Sequence, residues 1–181
     1  MPNTTETATF AGGCFWCFDT IFRQIKGVEK VESGFAGGEG HIDYSTIHYT
    51  PRGYAEAVQV TFDPQQIAYS KLLDIFWHLH DPTQLNRQGV DMGSEYRSSI
   101  FCHSDEQQKE AEKSKNTLEE AHEFADPIVT DIKPFTTFVA ADEEHQNFYN
   151  KNKSHPFCMI MIDPKLSKLK EKYFSKLAPK A

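Results

Sequence analysis

Two cysteines three residues apart, behind a pair of glycines, are the first feature of this chain with chemical content: Ala11-Gly12-Gly13-Cys14-Phe15-Trp16-Cys17-Phe18. A cysteine reacts as its thiolate, and a thiolate is favoured at the start of a helix, where free N–H groups and the macrodipole attract an anion. The flanking pattern puts Cys14 at such a place. Ala8-Thr9-Phe10-Ala11 reads as a strand, and the apolar residues at 18, 21, 22 and 25 have helical spacing. The glycines supply the tight turn between the two. A buried cysteine is often no more than a small hydrophobe. The glycines before Cys14, the rings after it and the second cysteine favour a reactive thiol with a lowered pKa.

A thiol that attacks an oxidised sulfur or a carbonyl needs a proton donor for the oxygen. Glu56 is the best candidate. In Tyr54-Ala55-Glu56-Ala57-Val58-Gln59-Val60-Thr61-Phe62 it shares one strand face with Tyr54, Val58, Val60 and Phe62. A carboxyl held among apolar neighbours loses hydration, and its pKa rises as a general acid requires. Its plainer role would be a surface pair with a lysine. Tyr44, Asp91 and Tyr96 lie in glycine-flanked loops, where phenols can hold an oxygen and the carboxylate can orient them. Phe15 and Trp16 offer an apolar slot beside the thiol, or simply core packing. Cys17 is close enough along a helix to form a disulfide with Cys14. Cys158, after His155-Pro156-Phe157, could swing in from a C-terminal segment instead, and Cys102 reads as a core residue of a strand. Eight histidines and four cysteines raise a zinc reading. No second C-x-x-C or H-E-x-x-H run accompanies them, so no metal site is expected.

The elements that must hold these groups follow from the pattern. The 181 residues suffice for one domain, 1–181, with 1–7 flexible and 150–181 forming a C-terminal segment and helix. Strands are expected at 28–35, 54–62, 99–102 and 127–132, and helices at 69–80, 105–123 and 143–149, with a last helix running to 177. Ser104 caps the long charged helix. Glycine-rich residues 36–53 and polar residues 83–97 form long loops of the kind that carry sites. The glycines lack the Lys-Ser/Thr ending of a phosphate cradle. The order of elements predicts an α+β two-layer sandwich with a split βαβ (ferredoxin-like) core, a mainly antiparallel sheet, extra helices and long irregular loops. A net charge of −7 argues against nucleic acid and anionic membrane surfaces as partners. No apolar run is long enough to span a bilayer. The polar start of the chain, with Glu6, does not read as a secretory signal, so a cytoplasmic setting with reduced thiols is expected.

Taken together, Gly13-Cys14-Phe15-Trp16, Ser33-Gly34-Phe35-Ala36-Gly37-Gly38, Tyr54-Ala55-Glu56-Ala57-Val58, His80-Asp81-Pro82-Thr83 with Leu85-Asn86-Arg87-Gln88-Gly89, and Asp91-Met92-Gly93-Ser94-Glu95-Tyr96-Arg97-Ser98 closely resemble the peptide methionine sulfoxide reductase A family. The resemblance runs in order from about Ala8 to Cys158. It implies repair of methionine S-sulfoxide, free or in oxidised proteins and peptides, with Cys14 attacking the sulfur and Glu56 protonating the oxygen. It further implies that Tyr44 and Tyr96 hold that oxygen, Asp91 supports the site, and Phe15 and Trp16 seat the substrate methyl group. Cys14 is then left as a sulfenic acid that a second thiol converts to a disulfide, which thioredoxin or another external dithiol reduces; no resident cofactor is implied. Phe35 stands where the family usually has Tyr, and Tyr54 where it usually has His. The resolving thiol stays open between Cys17, Cys158 and a relay through both. The competing readings are a general C-x-x-C thiol–disulfide oxidoreductase, which would not need Glu56, and a zinc-stabilised interaction module.

Overall fold

The computed structural model describes residues 4–173; 1–3 and 174–181, and with them the end of the expected last helix, lie outside the described residues. The strands are β1 (Glu6–Gly12), β2 (Val28–Ala36), β3 (Ala55–Phe62), β4 (Arg87–Gln88), β5 (Asp91–Met92), β6 (Ser98–Cys102), β7 (Asp131–Pro134) and β8 (Phe138–Ala140). The helices are α1 (Phe15–Phe22), α2 (Tyr44–Ile47), α3 (Tyr69–Leu79), α4 (Asp105–Glu120), α5 (Phe148–Lys151) and α6 (Asp163–Tyr173). Six strands form one sheet in the order β7-β6-β1-β3-β2-β8, and β4 and β5 pair as a separate short hairpin. Among the described residues only the β6–β7 pair runs parallel. The result is a mixed α/β fold with a mainly antiparallel sheet and several helices.

The alternation in β3 decides which face the helices cover. Val58, Val60 and Phe62 are fully buried in the main core with Ile21 and Phe22 of α1 and Leu72, Leu73 and Phe76 of α3. Phe10 of β1 stacks between Phe22 and Phe76, with ring centroids 5.4 and 5.1 Å away. The other face is lined by the small side chains Ala11, Ala36, Ala55 and Ala57, covered by Phe101, Phe135 and Phe138. Burial of this many large apolar side chains, each contributing about 1.5–3 kcal/mol, is the main stabilising term. It fixes the frame on which the loops sit.

Several elements differ from expectation. β1 begins at Glu6, so Glu6 and Thr7, within the stretch expected to be flexible, pair with Phe62 and Thr61 of β3. The strand expected over 127–132 starts only at Asp131, because the backbone before it is bonded elsewhere: Val129 N–H donates to the Pro82 carbonyl and Ile128 N–H to the Glu119 carboxylate. β8 went unforeseen and adds to the free edge of β2. The helix expected over 143–149 is broken into a 3-10 turn, Glu143–His145, and α5, with Asn147 in a left-handed conformation between them. Ser104 caps α4 as expected, accepting from Gln107 N–H at 3.1 Å.

Candidate active site

Cys14 is the residue immediately before α1, with φ −58° and ψ 125°, while Phe15 enters the helix. Gly13 makes the entry possible. Its φ is +104°, and a Cβ there would also press on the Gln88 side chain. Gln88 in turn bonds both the amide and the carbonyl of Asp81, which ties the β4–β5 hairpin to the end of α3. The hairpin therefore presents Asp91 to the α1 entrance.

Glu56 reaches the same entrance from β3. It is 1% exposed, and its Oε2 accepts a hydrogen bond from Phe15 N–H at 3.1 Å. Burial pushes its carboxyl up to about 8, although the Phe15 bond acts in the opposite direction; the charges of Asp91 and Glu95 add to the rise. Phe35, opposite Glu56 in the β2–β3 register, supplies part of the apolar wall and packs on the Phe15 ring at 5.7 Å. Glu56 thus carries a proton at neutral pH. The surface-lysine alternative for this residue is not what the fold builds.

Cys14 departs from the expected lowered pKa. Its thiol is pushed well up, first by burial, then by the charges of Glu56 and Cys17. The helix start does act as anticipated, since a hydrogen bond from Trp16 N–H favours the thiolate, but burial outweighs it. While Glu56 is protonated its charge does not oppose the thiolate, so the two groups are electrostatically linked. The site at rest holds a thiol and a neutral acid side by side.

Tyr44 and Tyr96 belong to this neighbourhood. Both phenols are raised by burial first, and both feel the charges of Glu56, Asp91 and Cys14. Asp91 is itself raised by partial burial. Tyr54, at the position before the Ala-Glu pair, does not face this cluster: its phenol donates to the Gly40 carbonyl at 2.9 Å and holds the glycine-rich loop.

The rings form a wall. Phe15 is buried and stacks on Tyr44 at 6.0 Å. Trp16 lies 6.0 Å from Tyr44 and stacks closely on Phe148 of α5 at 3.7 Å, with the Phe157 ring edge-on at 5.7 Å. Sequence reasoning missed His145, whose ring stacks on Tyr44 at 4.0 Å, and the covering rings Phe148 and Phe157. It also missed His48, whose spacing of one helical turn after Tyr44 was the available signal.

All four cysteines are free thiols. Cys17 is buried in the first turn of α1, its N–H bonded to the Cys14 carbonyl at 3.2 Å. Cys158 is not part of a loose tail. It is fully buried at the start of a π-helical turn, Cys158–Ile162, that leads into α6. Its charge acts on Cys17, while the charges that act on Cys14 are those of Glu56, Cys17 and, more weakly, Asp91. Cys102 is buried in β6. Among the described residues, no three His, Cys, Asp or Glu side chains are placed to hold a metal ion. Among the same residues no helix is long and apolar enough to cross a membrane.

A thiol nucleophile beside a proton-loaded carboxyl, with further thiols behind it, is the apparatus of a thiol-dependent oxidoreductase. Comparison with known proteins gives the family: the chain belongs to the peptide methionine sulfoxide reductases, whose family pattern it matches over residues 6–178. It is 47% identical to the peptide methionine sulfoxide reductase MsrA of Deinococcus radiodurans over 95% of this chain and 84% of that protein. The structure superimposes on reduced Mxr1 of Saccharomyces cerevisiae with a TM-score of 0.79 and 32% identity, covering 87% of this chain and 91% of the other. A structure of Mxr1 in complex with Trx2 aligns with a TM-score of 0.56 and 28% identity, over 82% and 87% of the two chains.

Proposed function

We propose that this chain reduces the S-epimer of methionine sulfoxide, free or in oxidised peptides and proteins, with Cys14 as nucleophile and Glu56 as acid. The observation that carries the assignment is the buried Glu56 carboxyl, bonded to the amide of the residue after Cys14 and protonated at neutral pH. Glu56 gives its proton to the sulfoxide oxygen as the Cys14 sulfur attacks the substrate sulfur. The thiol proton of Cys14 passes to the Glu56 carboxylate, and the oxygen then moves from the substrate sulfur to the Cys14 sulfur: a Cys14 sulfur–oxygen bond forms as the sulfur–sulfur bond of the adduct and the substrate sulfur–oxygen bond break, so that methionine leaves and Cys14 is left as a sulfenic acid. Tyr44 and Tyr96 hold the oxygen, Asp91 supports them, and Phe15 and Trp16 receive the methyl group. Covering rings from the C-terminal segment keep water away from the reacting sulfur.

Cys17 then condenses with the sulfenic acid to give the Cys14–Cys17 disulfide and water. Cys158 attacks Cys17, so that Cys14 departs as a thiol and a Cys17–Cys158 disulfide remains. The burial of Cys17 and Cys158 in one core cluster, with the charge of Cys158 felt at Cys17, supports that order. An external dithiol returns the pair to thiols; thioredoxin is the reductant we assign, supported by the Mxr1–Trx2 complex. The chemistry needs no resident cofactor. One catalytic domain over 1–181 and a cytoplasmic setting suit four reduced thiols. For the sheet, the order β6-β1-β3-β2, with α1 and α3 as crossovers, supports reading the core as a split βαβ unit.

The test is single-turnover reduction of N-acetylmethionine S-sulfoxide. Cys14→Ser should yield no methionine; retained turnover would remove Cys14 as nucleophile.

A further inference from the structure

His48 is the first residue past α2, one helical turn after Tyr44. The turn between them is held firmly: Asp43 caps it, accepting from Thr46 N–H at 2.9 Å and from the Ser45 hydroxyl at 2.7 Å. From this base the His48 ring stands edge-on to Tyr44 at 5.1 Å and lies nearly parallel to the Tyr96 ring at 5.9 Å. Its Nδ1 is 3.2 Å from the Tyr96 hydroxyl. The same Nδ1 is 3.6 Å from Oε1 of Glu95, a carboxylate only 5% exposed in the turn that carries Tyr96. Gly93, at φ +140°, leaves the space into which the Glu95 carboxylate packs; a Cβ at Gly93 would overlap it.

This arrangement bears on what the phenol can do. A hydroxyl has one proton to donate. If Nδ1 were bare, Tyr96 would donate to it, and the substrate oxygen would meet only a lone pair. If Nδ1 carries hydrogen, it donates to the phenol oxygen, and the phenol proton is free for a third group. Glu95 Oε1 faces the same nitrogen at 3.6 Å, and an acceptor oxygen on that side suits the tautomer that carries hydrogen on Nδ1. Donation into the phenol oxygen also strengthens the phenol as a donor, as linked hydrogen bonds polarise one another.

We propose that His48, its Nδ1 proton held in place by Glu95, is a positioning residue that turns the Tyr96 hydroxyl toward the sulfoxide oxygen. The proposal rests on the reading that Tyr96 holds that oxygen. His48 touches no reacting atom itself and acts entirely through Tyr96.

A double-mutant cycle on the single-turnover rate with N-acetylmethionine S-sulfoxide tests it. Tyr96→Phe should slow the reaction by roughly a hundredfold, the usual effect of losing one donor to a developing oxyanion. His48→Ala should slow it about tenfold alone, yet add nothing in the Tyr96→Phe background. His48→Asn, whose amide N–H can replace Nδ1–H, should recover most of the rate, and Glu95→Gln should lose part of it. An additive loss in the double variant overturns the proposal, since a merely structural role would persist without the phenol. So does an unchanged rate in His48→Ala beside a slowed Tyr96→Phe. An unaffected Tyr96→Phe instead overturns the underlying assignment of Tyr96, and the proposal with it.

Discussion

Replacing Glu56 by Gln isolates the proton on which the chemistry depends. Gln keeps an oxygen that can accept from Phe15 N–H, fills nearly the same volume in the wall formed with Phe35, and has no acidic proton to give. Two consequences can be measured separately. The first concerns rate: loss of a positioned general acid costs about 10²–10⁴-fold, so methionine formation in a single turnover should fall by at least a hundredfold. In the parent protein the same step should slow as pH rises through about 8, where the carboxyl loses its proton. The second consequence concerns stability. Folding raises this carboxyl from 4.5 to about 8. Between those values the folded chain holds a proton that the unfolded chain has released, so stability declines as pH rises. The contribution is whole below about 4.5 and lost by about 8, and the span of about 3.5 pH units, at 1.36 kcal/mol each, corresponds to about 5 kcal/mol. Gln has no such slope. Urea unfolding of both proteins from pH 4 to 9 should show Glu56→Gln gaining steadily on the parent up to about pH 8, then holding its lead. Parallel stability curves would refute the buried neutral acid, whatever the variant's activity.

The thiol sequence is open to mass mapping after one equivalent of substrate without reductant. The parent protein should end with a Cys17–Cys158 disulfide and a free Cys14, Cys158→Ser should stop at Cys14–Cys17, and Cys17→Ser should trap the sulfenic acid; a direct Cys14–Cys158 bond in the parent would discard the relay. Gly93→Ala forces a non-glycine residue to φ +140° and drives a Cβ into the Glu95 carboxylate. It should lower stability by about 1–3 kcal/mol or more, read as a shift in the urea midpoint, and it should slow turnover by disturbing Glu95 and Tyr96. Phe148→Ala uncovers one face of Trp16 and should red-shift the tryptophan emission and raise KM more than it lowers kcat; unchanged emission would mean that the α5 ring does not shield Trp16 in solution.

Much of the reacting centre is local and therefore legible along the chain. Glycines before a cysteine, with rings and helical spacing after it, specify a turn into a helix, because backbone freedom and apolar periodicity act over a few residues. The alternation in β3 likewise told that Glu56 shares a face with Val58 and Val60, since side chains on a strand alternate with a period of two. The electrostatic state of Cys14 was beyond such reasoning. A helix start favours a thiolate, but burial beneath distant segments costs more, and burial is a sum over the whole fold. The same holds for Cys158, whose place beside Cys17 depends on how the C-terminal segment packs, and for Val129, whose amide was claimed by Pro82 rather than by a strand neighbour. His48 and Glu95 lie 47 positions apart and meet only because the fold brings the end of α2 against the turn that carries Tyr96. Residue type and short-range spacing thus specified which groups can react, while long-range packing decided their protonation, their order of contact and their orientation, because desolvation and hydrogen-bond geometry are properties of neighbours that the chain brings together only on folding.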